Sequence, residues 1–245
     1  MARVNLGFTF KQFFVAHDRC AMKVNTDAVI LAAWATVCQQ GRVLDIGTGS
    51  GVMALMMAQR TPECVFVDAI ELDVAAAQQA QENFSASPFA NRLTGISNNV
   101  INYAKQTYWQ YDHIICNPPY FPEGVECQSQ ARYQARYTQT LDHSQLFDVA
   151  KSLLKDEGIF TFVLPYNMGY QRISQAQVRG WKPYRLLAVK DSEERLPHLL
   201  CVELVKHPPL MDEQHVKEQT LIIRNKQRHF TDGFIALTKD FYLNI

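Results

Sequence analysis

No cysteine spacing in this chain makes a metal hook, and no apolar run is long enough to cross a bilayer. The six cysteines, Cys20, Cys38, Cys64, Cys116, Cys127 and Cys201, are scattered. None forms C-x-x-C, and no Cys/His cluster has zinc spacing, so reduced thiols with neither disulfide nor metal are expected. Repeats and low-complexity tracts are absent as well, which excludes a solenoid or a disordered tail as the organising feature. The opening residues 1–14 contain Phe8, Phe10, Phe13 and Phe14 broken by Lys11 and Gln12. They lack the apolar core and cleavage site of a secretory signal, so a cytoplasmic location is expected. Nor is there any net charge: 24 basic side chains balance 24 acidic ones.

The distribution of charge is less even than its sum. Residues 1–40 carry four basic and two acidic side chains, residues 41–130 carry four and nine, and residues 131–245 carry sixteen and thirteen. An acidic middle between basic flanks suits a small-molecule half beside a phosphate-facing rim, although excesses this small also suit an ordinary solvated surface. A length of 245 residues with 47% hydrophobic side chains supports one large α/β domain.

Strand and helix patterns alternate from residue 42 to about residue 205. Strands are expected at Arg42–Gly47, Cys64–Glu71, Leu93–Ser97, Tyr111–Cys116, Ile159–Leu164, Tyr184–Val189 and Leu199–Val205. Helices are expected at Val52–Gln59, at Asp73–Phe84 with Asp73 as N-cap, and at Asn167–Arg179. Another opens on the Asp142/Gln145 capping box and places Leu146, Val149, Ala150, Leu153 and Leu154 on one face, with Gly158 as its stop. This rhythm predicts a doubly wound, mostly parallel sheet with helices on both faces. A segment of about forty residues precedes it, and a tail rich in Ile, Phe and Tyr follows from about residue 206.

Two motifs carry chemistry. The first is Val43-Leu44-Asp45-Ile46-Gly47-Thr48-Gly49-Ser50-Gly51, in which a strand enters, glycines turn and a helix leaves. Such a turn lies at the carboxyl edge of an α/β sheet, where ligands bind. A dinucleotide fold would seat a pyrophosphate there with G-x-G-x-x-G, but position three of that pattern is Val52. Asp45 repels a pyrophosphate and suits the ammonium of an amino-acid-bearing cofactor. Glu71, at the end of the next strand, suits the two hydroxyls of a ribose. The alternative for these residues is a plain glycine turn with solvated acids at strand ends.

The second motif is Asn117-Pro118-Pro119-Tyr120, directly after an apolar strand. Two prolines hold the backbone rigid and extended. The Asn117 carboxamide and the Pro118 carbonyl then stand as two fixed acceptors for an NH₂ group, and Tyr120 offers a flat ring for stacking a base. An amino group held by two acceptors turns its lone pair toward an electrophilic methyl, so orientation and electrostatics suffice for transfer. The bland alternative is a strand-ending turn.

Together, D-I-G-T-G-S-G and N-P-P-Y resemble the class I amino-methyltransferases acting on adenine, cytosine or glutamine amides. The resemblance extends over almost the whole chain. Gly7–Phe14, His17–Val24 with Thr26-Asp27, Gly124–Cys127, Gln134–Thr138, Thr140–His143, Arg195–His198, and Ala236–Thr238 with Phe241–Leu243 are similar to the bacterial enzymes that methylate N6 of adenine 37 in tRNA1(Val). The resemblance implies a Rossmann-like, seven-stranded class I methyltransferase fold with S-adenosylmethionine as cofactor. It implies cofactor contacts from Asp45, Gly47, Gly49 and Glu71, and adenine contacts from Asn117, Pro118 and Tyr120. Residues 1–40 become a cofactor-covering segment that brings Lys23 near the cofactor, and residues 41–245 the methyltransferase domain. Asn99 aligns where relatives carry an acidic residue against the cofactor's adenine. Lys11, Arg132, Arg136 and Arg195 are the expected phosphate contacts to a valine-type tRNA. No membrane or protein partner is implied. A protein glutamine N5-methyltransferase would use the same N-P-P-Y and is the alternative. A non-enzymatic NAD-type module is disfavoured by Asp45.

Overall fold

The computed structural model describes residues 6–118, 142–207, 216 and 218–245. Its centre is an eight-stranded sheet. The strands are β3 (Gly41–Ile46), β4 (Val65–Glu71), β5 (Leu93–Ser97), β6 (Tyr111–Cys116), β7 (Leu154–Pro165), β8 (Lys182–Ser192), β9 (Leu199–Val205) and β10 (Glu218–Arg224). They lie in the order β10-β8-β9-β7-β6-β3-β4-β5. Only the pairs made by β9 are antiparallel. A separate hairpin, β1 (Gly7–Thr9) and β2 (Phe14–Ala16), stands before them.

Alternation fills both faces of this sheet, because a pleated strand sends successive side chains to opposite sides. Val43, Val67, Ile115, Val163 and Cys201 enter one core with helices α1 (Thr26–Trp34) and α2 (Val52–Arg60), and with Ala80 and Phe84 of α3 (Val74–Ser85). Leu44, Ile70, Ile114, Phe160 and Val202 enter the other, against α4 (Val100–Gln106), α5 (His143–Leu153) and α6 (Tyr166–Val178). The last helix, α7 (Asp232–Thr238), buries Phe234 on the α1 side.

Three features depart from the sequence reading. The strand count is eight rather than seven, because the tail adds β10 in parallel to β8. Helices α1 and α4 were not expected. In α1 every residue from Ala28 to Trp34 is buried, so no amphipathic stripe marks it. Finally, Gly158 does not stop a helix. Helix α5 ends at Leu153, strand β7 begins at Leu154, and a Cβ at Gly158 would stand 2.6 Å from the Leu154 side chain and 3.1 Å from the Asp112 carbonyl oxygen. That glycine serves close approach of two strands.

Candidate active site

Strands β3, β4 and β5 succeed one another toward one edge of the sheet, whereas β6 and β7 lie on the other side of β3. The loops leaving β3 and β6 therefore diverge, and the crevice between them is where an open α/β sheet binds ligands. Ile46 pairs with Cys116, so Gly47 and Asn117 are the next residues on either side of that crevice.

Asp45, one residue before the end of β3, is fully buried. Its Oδ2 accepts a 2.6 Å hydrogen bond from the Thr48 hydroxyl and a 3.2 Å bond from the Ala54 N–H in the first turn of α2. Its Oδ1 has no hydrogen-bond partner among the described residues. Burial pushes the Asp45 carboxyl up to about 7, against the opposing pull of the Thr48 and Ala54 hydrogen bonds and with a smaller contribution from the charge of Glu71. A buried acceptor left open is expensive, and a ligand cation or N–H that reaches it recovers the cost.

The turn that follows needs its glycines. Gly47 and Gly49 hold φ of 71° and 55°, in the left-handed region. Space beyond the Gly49 Cα is open to 4 Å, which leaves backbone available to a ligand. The Gly49 N–H donates 3.0 Å to Glu71 Oε2, and Leu72 and Asp73 donate 2.8 Å and 3.0 Å to Oε1. Burial raises the Glu71 pKa while these three N–H groups pull it down. The carboxylate that the sequence assigns to a ribose is thus largely satisfied by backbone, with Oε2 the less occupied oxygen. Cys116, buried beside Asp45 and Glu71, has its pKa pushed well above the ordinary thiol value, first by burial and then by those two charges. It is no nucleophile at neutral pH.

The N-terminal segment is pinned over this edge by two buried polar residues of α3. Asn83 Oδ1 accepts from Ala16 N at 3.0 Å, and its Nδ2 donates to Ala16 O and to Ser50 O, both at 2.8 Å. One side chain therefore joins strand β2 to the glycine turn. One helical turn earlier, Gln79 Oε1 accepts from Arg19 N at 3.0 Å and its Nε2 donates to Asp18 at 2.7 Å. The Cys20 thiol also donates to Gln79 Oε1, at 3.2 Å, and burial first, then the charges of Glu71 and Asp73, raises its pKa.

Sequence reasoning missed Thr48, Gln79 and Asn83. The spacing of Gln79 and Asn83, four apart beside Ala76, Ala80 and Phe84, was the available signal: polar residues on the core-facing stripe of a helix need partners. Of the expected residues, Asp45, Gly47, Gly49, Glu71, Asn117 and Pro118 come together at one crevice. Lys23 is exposed just before Asn25, the N-cap of α1. Asn99 caps α4, its Oδ1 accepting from Ile101 N at 2.8 Å, so that oxygen is engaged at home. Lys11 donates to the Lys239 carbonyl at 2.6 Å and ties the hairpin to the C-terminal helix. Arg195 is exposed in the β8–β9 loop. Tyr120, Arg132 and Arg136 lie outside the described residues.

The methyltransferase small domain family matches residues 20–183. The tRNA1(Val) (adenine(37)-N6)-methyltransferase of Salmonella enteritidis PT4 is 47% identical over 237 residues, 97% of this chain and 95% of the relative. The enzyme of the same name from Pectobacterium carotovorum is 46% identical, covering 97% and 94%. Among solved structures, a predicted O-methyltransferase from Agrobacterium tumefaciens has a TM-score of 0.66 at 16% identity, over 90% of this chain and 100% of that one, a likeness of fold. The chain belongs to the methyltransferase small domain family and, within it, to the group of the tRNA1(Val) (adenine(37)-N6)-methyltransferases.

Proposed function

We propose that this methyltransferase acts on N6 of adenosine 37 in the anticodon loop of tRNA1(Val), with S-adenosylmethionine as methyl donor, in the cytoplasm. The observation that carries the chemistry is the register Ile46↔Cys116, which sets Asn117 and Pro118 against the glycine turn at the switch point of the sheet. The substrate reading rests on the name shared by relatives at 47% identity over 97% of the chain.

The residues fit the donor. The open Oδ1 of Asp45 suits its ammonium group, the backbone at Gly49 has free space, and Glu71 Oε2 retains acceptor capacity for a ribose hydroxyl. When bound, S-adenosylmethionine supplies a methyl group made electrophilic by a sulfonium. Asn117 and the Pro118 carbonyl hold the target amino group through its two hydrogens and aim its lone pair. Held by Asp45, Gly49 and Glu71, the donor would supply the methyl group and retain the sulfur's electron pair as a neutral thioether, and the amino proton, acidic only once the nitrogen carries the methyl, would pass to water. No strong base is required in advance, and Asn117 acts by orientation and electrostatics. Asn99 keeps its amide Nδ2 for the cofactor's adenine, as donor rather than acceptor. Residues 1–40 act as a cover, a reading supported by the Asn83 bridge from Ala16 to Ser50 and by the hydrogen bonds of Gln79 to Asp18, Arg19 and Cys20. Tyr120 stacks on the target base, and Arg132, Arg136 and Arg195 meet phosphates.

The test is mass spectrometry of nucleosides from total tRNA, duplex DNA and a protein bearing a Gly-Gly-Gln loop, each incubated with enzyme and labelled donor. N6-methyladenosine in tRNA alone is expected. Methylglutamine in the protein with unmodified tRNA would replace this reading by the glutamine N5 one.

A further inference from the structure

Strand β10 runs parallel to β8, with Arg224 opposite Ser192, and β8 and β7 are both antiparallel to β9. The C-terminal end of β10 therefore emerges at the same sheet edge as Asn117, four strands away from β6, which is ~19 Å at the ordinary strand spacing. What emerges there is a short, braced hairpin. Asn225 Oδ1 accepts from Gln227 N and His229 N, both at 3.0 Å, and Asn225 N donates to His229 O at 2.8 Å. Arg224 donates to the Arg228 carbonyl at 2.7 Å and stacks on Phe230 with its guanidinium 4.1 Å from the ring centroid. Arg224 is thus spent on bracing, and the tip presents Lys226, Arg228 and His229 to solvent. No acidic residue occurs from Gln219 to Thr231. On the neighbouring strand the exposed Asp191 carboxylate stands 3.9 Å from the His198 imidazole, an ion pair when that ring is protonated.

Arg228 adds a second, independent observation. It is the one non-glycine residue with positive φ among the described residues, at 66°. Glycine would take that conformation without strain, whereas an arginine there costs free energy that the hairpin has no need to spend. A strained residue whose cationic head makes no ion pair among the described residues, at a ligand-binding sheet edge, points to a job for the head.

We propose that the Lys226–Arg228 hairpin is an RNA-binding element that grips phosphates of the substrate's stem while the target base reaches Asn117. The inference rests on the tRNA reading above. A rigid basic tip set about four strand spacings from the crevice fits a partner that is a folded polyanion with one splayed base. Phosphate contacts of this kind fix register and carry no base information.

The experiment compares wild type with Arg228→Gly, Lys226→Gln and the double variant. The glycine variant keeps the backbone and relieves its strain, so its thermal midpoint should equal or exceed wild type. For the double variant KM for tRNA should rise about tenfold with kcat nearly unchanged, and the slope of log affinity against log salt should shrink by about 1–2. Affinity for S-adenosylhomocysteine should be unchanged by calorimetry. A well-folded double variant with wild-type KM and salt slope would overturn the proposal. If instead wild type methylates no tRNA at all, the tRNA reading itself has failed, which is a different result from equal activity in both proteins.

Discussion

Replacing Asp45 with asparagine should make the free protein more stable and the cofactor complex weaker, and the structure sets the size and pH range of both effects. An unfolded aspartate ionises near 3.9, whereas burial holds Asp45 near 7. Between those values the folded state binds a proton that the unfolded chain has released. Stability contributed by this residue therefore falls as pH rises from about 4 to about 7, by about 1.4 kcal/mol per pH unit, then levels off. The full loss is ~4 kcal/mol above pH 7. Asparagine does not titrate. Its oxygen keeps the Thr48 and Ala54 hydrogen bonds, and its amide nitrogen takes the place of Oδ1, which has no described partner, much as the proton of a neutral aspartic acid would. The advantage of asparagine over aspartate should thus be ~1.5 kcal/mol near pH 5 and grow to ~4 kcal/mol near pH 8.5. Urea unfolding of both proteins at the two pH values, without cofactor, measures it. Other titrating groups, Glu71 included, are common to both proteins and cancel to first order. Binding moves the opposite way. A charged hydrogen bond to the ligand's ammonium is worth about 1.5–3 kcal/mol, so the variant should bind S-adenosylhomocysteine roughly ten- to a hundredfold less tightly. Wild-type affinity should also decline below pH 7 as Asp45 takes up its proton, with no such decline in the variant. Parallel stability curves for the two proteins between about pH 5 and pH 8.5 would refute the reasoning, because they would mean that Asp45 does not titrate inside the fold.

Other substitutions probe other parts of the site. Asn117→Ala should lower kcat by about a hundredfold or more with little change in cofactor affinity, and equal turnover would remove Asn117 from the chemistry. Asn83→Ala leaves the Ala16 N–H and two carbonyls without their partner. It should cost about 1–3 kcal/mol of stability and loosen S-adenosylhomocysteine binding about tenfold, read by thermal unfolding and calorimetry; a loss of stability alone would detach the N-terminal segment from cofactor binding. Glu203→Ala strips a fully buried carboxylate from Arg185 at 3.0 Å and from the Thr36 N–H and hydroxyl at 2.6 Å and 2.9 Å. Denaturant unfolding should show a loss of about 3–5 kcal/mol, and a loss below ~1 kcal/mol would mean that this network is replaceable by water.

The fold was legible where local pattern and burial agree. Tyr111–Cys116 and Leu199–Val205 occupy the strands expected of them, and the Asp73 cap and the Asp142/Gln145 capping box both form. These signals are short-range, so neighbouring residues in sequence settle them. Strand β10 was not assigned although Thr220-Leu221-Ile222-Ile223 has the β-branched, apolar make-up of a strand; what the sequence does not show is its pairing with β8. Helix α1 was missed for a different reason. It is packed on every side and so carries no polar face to set its period.

The same distinction separates the parts of the site. A carboxylate before a glycine turn and an asparagine before two prolines are unusual enough in sequence to announce a chemistry, and the sheet brings them to one crevice through the Ile46↔Cys116 register. Glu71 was singled out by its place at the end of a strand, yet three backbone N–H groups that the sequence could not reveal decide how much acceptor capacity it keeps. Gln79 and Asn83 look like ordinary residues of an alanine- and glutamine-rich helix. They acquire their role from a segment some sixty residues earlier, through contacts that only the folded chain makes. Arg228 is the extreme case. In sequence it is one of several cations in the tail, and only its backbone angle and its position at the ligand-binding edge of the sheet mark it as different. Rare local motifs can therefore be read before folding, whereas the contacts of Gln79, Asn83 and Arg228 depend on common side chains that the topology recruits.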